Sequence, residues 1–178
     1  MPRLCIFCGA HAGSNGHYRD LAGEVARAVH GAGFGVVYGG GRVGLMGALA
    51  DAVLALGGEV IGVIPKGLAT SEVAHSGVEQ LHVVESMHER KALMADLSDG
   101  FIALPGGYGT MDEFHEILTW RQLGIHNKPI GLLNAQGYYD HLLALYDRMR
   151  SEGFVTPKAR ELFVGAPEIG ALLRAMGI

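Results

Sequence analysis

Short apolar runs alternate with amphipathic ones along almost the whole chain, and this alternation restricts the fold more than any single residue does. Apolar runs at 3–8, 34–38, 59–64, 81–84, 101–104 and 129–133 have the length and composition of buried strands. Between and after them, residues 18–31, 45–56, 87–97, 110–123, 138–152 and 167–176 carry helical periodicity. Strand and helix in strict alternation predict an α/β chain of the Rossmann-like type, with a parallel sheet, helices on both faces and right-handed crossovers. At 178 residues, 49% hydrophobic and 18% charged, the length suits one domain over 1–178. Ligands of such sheets bind beyond the carboxyl ends of the strands. Loops 9–16, 39–47 and 105–109 all begin at such ends and are expected on one rim.

Composition removes several classes of partner. With 14 basic and 18 acidic residues and no Lys/Arg block, the chain has nothing to track a nucleic-acid backbone. The most apolar long stretch, 44–65, is interrupted by Asp51, Gly57, Gly58 and Glu59, which argues against a membrane span. Arg3 leads straight into a strand without a secretory pattern, so a cytoplasmic protein is expected. Cys5 and Cys8 spell CxxC, but strand residues three apart point to opposite faces, which separates the thiols. Nine histidines include no HExxH and no zinc spacing, so no metal is expected.

The segment from Met87 to Phe114 places an arginine-bearing helix, a buried strand and a glycine-rich turn in succession. Pro105 ends the strand, and Gly106, Gly107 and Gly109 let the backbone turn with its amides exposed. Thr110 is expected to open a helix whose free N–H groups and dipole attract phosphate, with Glu113 in its first turn. That juxtaposition suggests nucleotide chemistry. Met87, Arg90, Met94 and Leu97 share a stripe, which puts a guanidinium on an apolar face, where it needs an anion. Its partner is either a structural carboxylate, Glu89, Asp96 or Asp99, or a ligand phosphate or Glu113, unless the stem snorkels to water. Lys91 points to a neighbouring face.

Thr110 and Glu113 also spell TxxE, a capping box, and the pattern leaves the capping and functional readings level. Gly39, Gly41 and Gly44 within YGGGRVGLMG spell GxGxxG. Phosphate contact through Gly40 and Gly41 and a tight turn with close helix packing are both compatible with it. A dinucleotide site would want an acid at the end of the following strand, where Val63, Ile64 and Pro65 stand instead. No P-loop lysine follows either. Loop 65–80, which contains Glu72, is either a lid or a surface loop.

Taken together, MHERKALM at 87–94, PGGYGTMDE at 105–113, YGGGRVGLMG upstream and TWRQLGIHNKPIGLLNAQGYYD downstream resemble the LONELY GUY family. Its members are cytokinin-activating phosphoribohydrolases that annotations have long mislabelled as lysine decarboxylases. The resemblance implies a Rossmann-like homodimer that hydrolyses the N-glycosidic bond of a nucleoside 5′-monophosphate. The products are free base and ribose 5-phosphate, and neither a metal nor an organic cofactor is implied. It carries the catalytic roles onto Arg90 and Glu113. Nucleotide contacts fall on Arg90, Lys91, Gly107, Tyr108, Gly109, Thr110, Met111, Asp112, Glu113, Thr119 and the loop acid Glu72. The chain departs from the family in reading Met111, Asp112, Glu113 for Leu-Glu-Glu and Gly9, Ala10, His11 for Gly-Ser-Ser. The second departure removes hydroxyls from the expected ligand rim. A non-catalytic nucleotide sensor or carrier of the same fold is the alternative. A lysine decarboxylase would want a Schiff-base lysine, and Lys66, Lys91, Lys128 and Lys158 sit in no motif that supplies one.

Overall fold

The structure is a computed structural model that describes residues 1–70 and 73–178. Among the described residues one sheet contains seven strands in the order β4-β3-β2-β1-β5-β6-β7. These are β1 (Arg3–Phe7), β2 (Gly35–Tyr38), β3 (Val60–Pro65), β4 (Gln80–Val84), β5 (Gly100–Ala103), β6 (Ile130–Leu133) and β7 (Val164–Ala166). Every pairing is parallel. The helices are α1 (His17–Gly31), α2 (Gly44–Ala55), α3 (Met87–Asp96), α4 (Tyr108–Gln122), α5 (Asp140–Ser151), α6 (Pro157–Arg160) and α7 (Ile169–Met176).

The side-chain alternation of a strand sorts the core into two layers. Leu4, Ile6 and Cys8 pack with α1, α2 and α7 through Leu21, Val25, Leu49, Val53 and Leu172. Cys5 and Phe7 face the other layer, with Met94 of α3, Phe114 and Ile117 of α4 and Tyr146 of α5. Helices therefore cover both faces, and the two thiols are free and buried on opposite sides, as their spacing predicts.

β1 lies between β2 and β5, with Cys5 opposite both Val37 and Phe101. The chain order reverses at this strand, so the loops after β1 and β5 diverge and leave a crevice at the carboxyl edge. Besides two short 3-10 turns, Lys66–Leu68 and Ala135–Gly137, a strand and a helix escaped the sequence reading. β7 is only Val164–Ala166 and partly exposed, and α6 is a four-residue turn of helix with Pro157 at its start and Thr156 Oγ1 capping Ala159 N–H.

Candidate active site

A cavity of about 540 Å³ opens at that crevice. Its walls come from Cys8, Gly9, Ala10, His11 and Gly13 after β1, Leu45 and Met46 of α2, Arg90 of α3, the run from Pro105 to Thr110, Glu113 of α4, and Tyr18 and Tyr138. The three rim loops thus converge as the alternation of strand and helix predicts.

Local sequence explains how each element arrives. Ser86 caps α3 by accepting the Glu89 N–H on Oγ, and Glu89 accepts the Glu85 N–H in return. Arg90 follows one turn later on the face that meets the sheet. At α4 the arrangement differs from the expectation. The helix starts at Tyr108 with Gly107 as N-cap and no side chain capping it, so Thr110 lies inside the helix and Glu113 beyond its first turn. The TxxE capping box is therefore excluded, because Thr110 sits three residues too late to cap. The first N–H groups of an uncapped helix have no intrahelical acceptor, and Gly107, Tyr108 and Gly109 present them at the cavity edge.

Arg90 and Glu113 are each 8% exposed. Arg90 Nε donates to Val63 O at 3.1 Å and Nη2 to Gly39 O at 3.2 Å, while Nη1 lies 3.5 Å from Glu113 Oε1. The arginine is thus seated on the ends of β2 and β3 and paired with Glu113, which selects one of its expected partners and sets aside Glu89, Asp96 and Asp99. Burial raises the Glu113 pKa to about 7; Arg90 opposes that rise, Asp112 adds to it, and Lys91 opposes it less strongly. The cost of burying the charge outweighs the ion pair with Arg90. A carboxyl titrating near neutrality is suited to proton transfer.

The glycine run serves packing. A Cβ at Gly39 would overlap Arg90 Nη2, and one at Gly44 would overlap the Ala10 carbonyl, whose neighbour Gly9 accepts the Leu45 N–H at 3.0 Å. Gly40 and Gly41 do not line the cavity. Gly40 O accepts the His75 N–H, Gly41 bridges to Ala74, and Arg42 N–H donates to Val73 O. Part of the suspected lid is therefore docked on these glycines. Glu72, the expected loop acid, lies outside the described residues.

Other expected contacts separate from the cavity. Met111, Asp112 and Thr119 line a shallower depression on another face of α4 with His115, Glu116 and Trp120; only Tyr108 borders both. Lys91 lines neither. Its Nζ donates to Asp112 Oδ2 at 3.0 Å and forms an ion pair with Glu116 Oε2 at 3.1 Å. Burial works against the Lys91 charge, but the two carboxylates outweigh it and raise the pKa. Thr110 is buried at the cavity floor, and its Oγ1 finds no partner among the described residues. Tyr18 and Tyr138 were not foreseen as wall residues. They meet edge to face at 5.9 Å from sites far apart in sequence, and only their position after helix-start and strand-end signals hinted at the rim.

A parallel Rossmann-like sheet, an uncapped helix start at its switch point and a buried Arg–Glu pair in one cavity define a nucleotide-site protein of the α/β class. A family model described as possible lysine decarboxylase matches residues 46–176. A probable cytokinin riboside 5′-monophosphate phosphoribohydrolase of Oryza sativa subsp. japonica is 52% identical, over 98% of this chain and 78% of that protein. A cytokinin riboside 5′-monophosphate phosphoribohydrolase of Arabidopsis thaliana is 48% identical, over 99% of this chain and 83% of that protein. The chain belongs to the LONELY GUY family of phosphoribohydrolases. The molybdenum cofactor carrier protein of Chlamydomonas reinhardtii shares the fold at TM-score 0.73 and 21% identity, over 99% of this chain and 96% of that one. The decarboxylase description has no counterpart in the cavity. Lys66 pairs with Glu85, Lys91 with Asp112 and Glu116, Lys128 Nζ donates to Ala95 O, and none of the four lysines lines the cavity to hold a pyridoxal aldehyde.

Proposed function

We propose that the chain hydrolyses the N-glycosidic bond of adenosine 5′-monophosphate or its N6-substituted forms, releasing free base and ribose 5-phosphate. The buried Arg90–Glu113 pair, set in one cavity with the uncapped start of α4, carries this reading. The names of relatives near 50% identity support it.

In this reading the N–H groups of Gly107, Tyr108 and Gly109 and the α4 dipole hold the 5′-phosphate. The bond between the anomeric carbon and the base nitrogen breaks with its electron pair going to the base, which takes a proton from solvent and leaves as the neutral free base, while positive charge builds on the ribosyl ring. Ionised Glu113 stabilises that charge or takes a proton from the attacking water, whose oxygen then bonds the anomeric carbon. Arg90, fixed by the Val63 and Gly39 carbonyls, aims the carboxylate. The Lys91–Asp112–Glu116 cluster tunes Glu113 from a distance. The cavity accommodates a nucleotide-sized ligand by volume, within the range of small-molecule sites.

A homodimer and a cytoplasmic setting complete the proposal. Leu123 and Ile125 stand exposed beyond the end of α4, which supports a covering partner, and no helix among the described residues is long and apolar enough to cross a membrane. Sedimentation tests the dimer.

The deciding experiment is product chromatography after incubation with AMP and isopentenyladenosine 5′-monophosphate, with the matching nucleosides and a Glu113→Ala control. Free base from the monophosphates, lost in the control, is the expected result. Nucleotide binding without base release would replace the hydrolase by a carrier.

A further inference from the structure

Two adjacent tyrosines in the β6–α5 connection grip the backbone on either side of Pro105. Tyr139 Oη donates to Leu104 O at 2.6 Å, and Tyr138 Oη donates to Gly106 O at 2.7 Å. Their rings meet edge to face at 4.8 Å. The connection is built to hold them: Asn134 Oδ1 accepts the Tyr139 N–H at 2.7 Å, and its Nδ2 donates to Asp140 Oδ1 at 2.8 Å. Gln136 takes a left-handed conformation, φ 53°, the one such non-glycine residue among the described residues. A strained residue of this kind persists where the surroundings over-determine it, and it is a reason to ask what the loop positions.

The two hydroxyls serve different ends. Tyr139 is 3% exposed and belongs to the core, whereas Tyr138 is 44% exposed and borders the cavity. The peptide it grips joins two glycines, so no side chain restrains its plane. In a trans peptide the C=O and the following N–H point in opposite directions. Drawing the Gly106 carbonyl toward Tyr138 therefore turns the Gly107 N–H the other way, and that N–H donates to no acceptor among the described residues.

We propose that Tyr138 is a positioning residue of the anion turn: its hydroxyl sets the Gly106–Gly107 peptide plane and aims the Gly107 N–H at the ligand's 5′-phosphate. The inference rests on the phosphoribohydrolase reading and adds a determinant of selectivity for monophosphates over nucleosides. Tyr138 acts through Gly106 and makes no contribution to bond cleavage itself.

Calorimetric binding of AMP, ribose 5-phosphate and adenine to wild type, Tyr138→Phe and Tyr139→Phe, with steady-state kinetics and Tm, tests this. Tyr138→Phe is expected to keep its Tm and its adenine affinity, to bind AMP and ribose 5-phosphate about tenfold more weakly, and to raise KM for AMP by that factor with kcat within about twofold. Tyr139→Phe, losing a buried bond, is expected to lower Tm. Unchanged ribose 5-phosphate affinity in Tyr138→Phe overturns the proposal, as does an equal loss of adenine affinity, which would make Tyr138 a base contact. Wild type that binds neither AMP nor ribose 5-phosphate would sink the functional reading beneath it, a result separable from the others.

Discussion

Arg90 Nη1 stands 3.5 Å from Glu113 Oε1, close enough to favour the carboxylate yet too long for a strong hydrogen bond, and burial leaves the glutamate titrating at about 7. The pair is therefore poised between charge states near neutral pH. Its tuning follows from the groups around it.

Replacing Arg90 by methionine removes the largest influence that holds the Glu113 pKa down. Activity at pH 7 is expected to fall about a hundredfold, in line with losing one oriented charged donor, and the remaining activity to have its half-maximal pH displaced upward. A pH profile of kcat/KM that drops in height without moving would contradict the electrostatic coupling.

Neighbouring charges give a signed pair of smaller shifts. Asp112 raises the Glu113 pKa and Lys91 lowers it. Asp112→Asn should move the midpoint of the profile down in pH and Lys91→Met should move it up, the latter by less than Arg90→Met. Carbon-13 NMR titration of the Glu113 carboxyl reads both directly, and shifts of the same sign would refute the scheme.

Stability carries the same titration. Because the folded-state pKa of about 7 exceeds the usual value of 4.5, the native protein binds the proton more tightly than the unfolded chain between those limits. The stability Glu113 gains from that proton is fully present below about pH 4.5 and is lost as pH rises to about 7. Glu113→Gln has no such loss, so the stability difference between variant and wild type should shift in favour of the variant across that window and level off above it. Urea unfolding at four pH values within and beyond the window measures it; a pH-independent difference would mean that Glu113 titrates normally.

Gly39 is expected to tolerate no side chain, because a Cβ would occupy the space of Arg90 Nη2. Gly39→Ala should reduce activity to the level of Arg90→Met. The double variant should be no worse than either single one, since both remove the same seat. Additive losses would place the two residues in independent roles.

The unpartnered Thr110 hydroxyl predicts a trade between stability and binding. Thr110→Val keeps the shape and removes a buried polar atom, which should stabilise the ligand-free protein by about 1 kcal/mol. AMP affinity should weaken if the ligand is what satisfies that hydroxyl. A lower Tm in the valine variant would show that the hydroxyl is already bonded in solution.

Periodicity made the sheet legible because most strands are buried on both faces and read as apolar runs bounded by glycine or proline. β7 was not, since Val164–Ala166 is short, partly exposed and paired only with β6. The start of α4 was misplaced because Tyr108 and Gly109 look like loop residues, and only the geometry of Gly107 shows where the helix begins. Arg90 stood out as a charge on an apolar stripe and Glu113 by its place just after the glycine turn, both local signals. Lys91 drew attention by adjacency, but its partners lie on the next helix over, a turn of α4 that no spacing within α3 could report. Tyr138 carried only its place after a strand end, because its significance lies in a bond to Gly106 from the neighbouring loop.

Arg90 is anchored to main-chain carbonyls of Val63 and Gly39, and every residue type carries a carbonyl. Drift among apolar residues at position 63 would leave the guanidinium where it is, while position 39 admits glycine alone. The site's geometry is thereby insulated from most mutation in the strands that support it, and evolutionary change in substrate preference is free to fall on the outer wall, at Ala10, His11, Tyr18 and Met46.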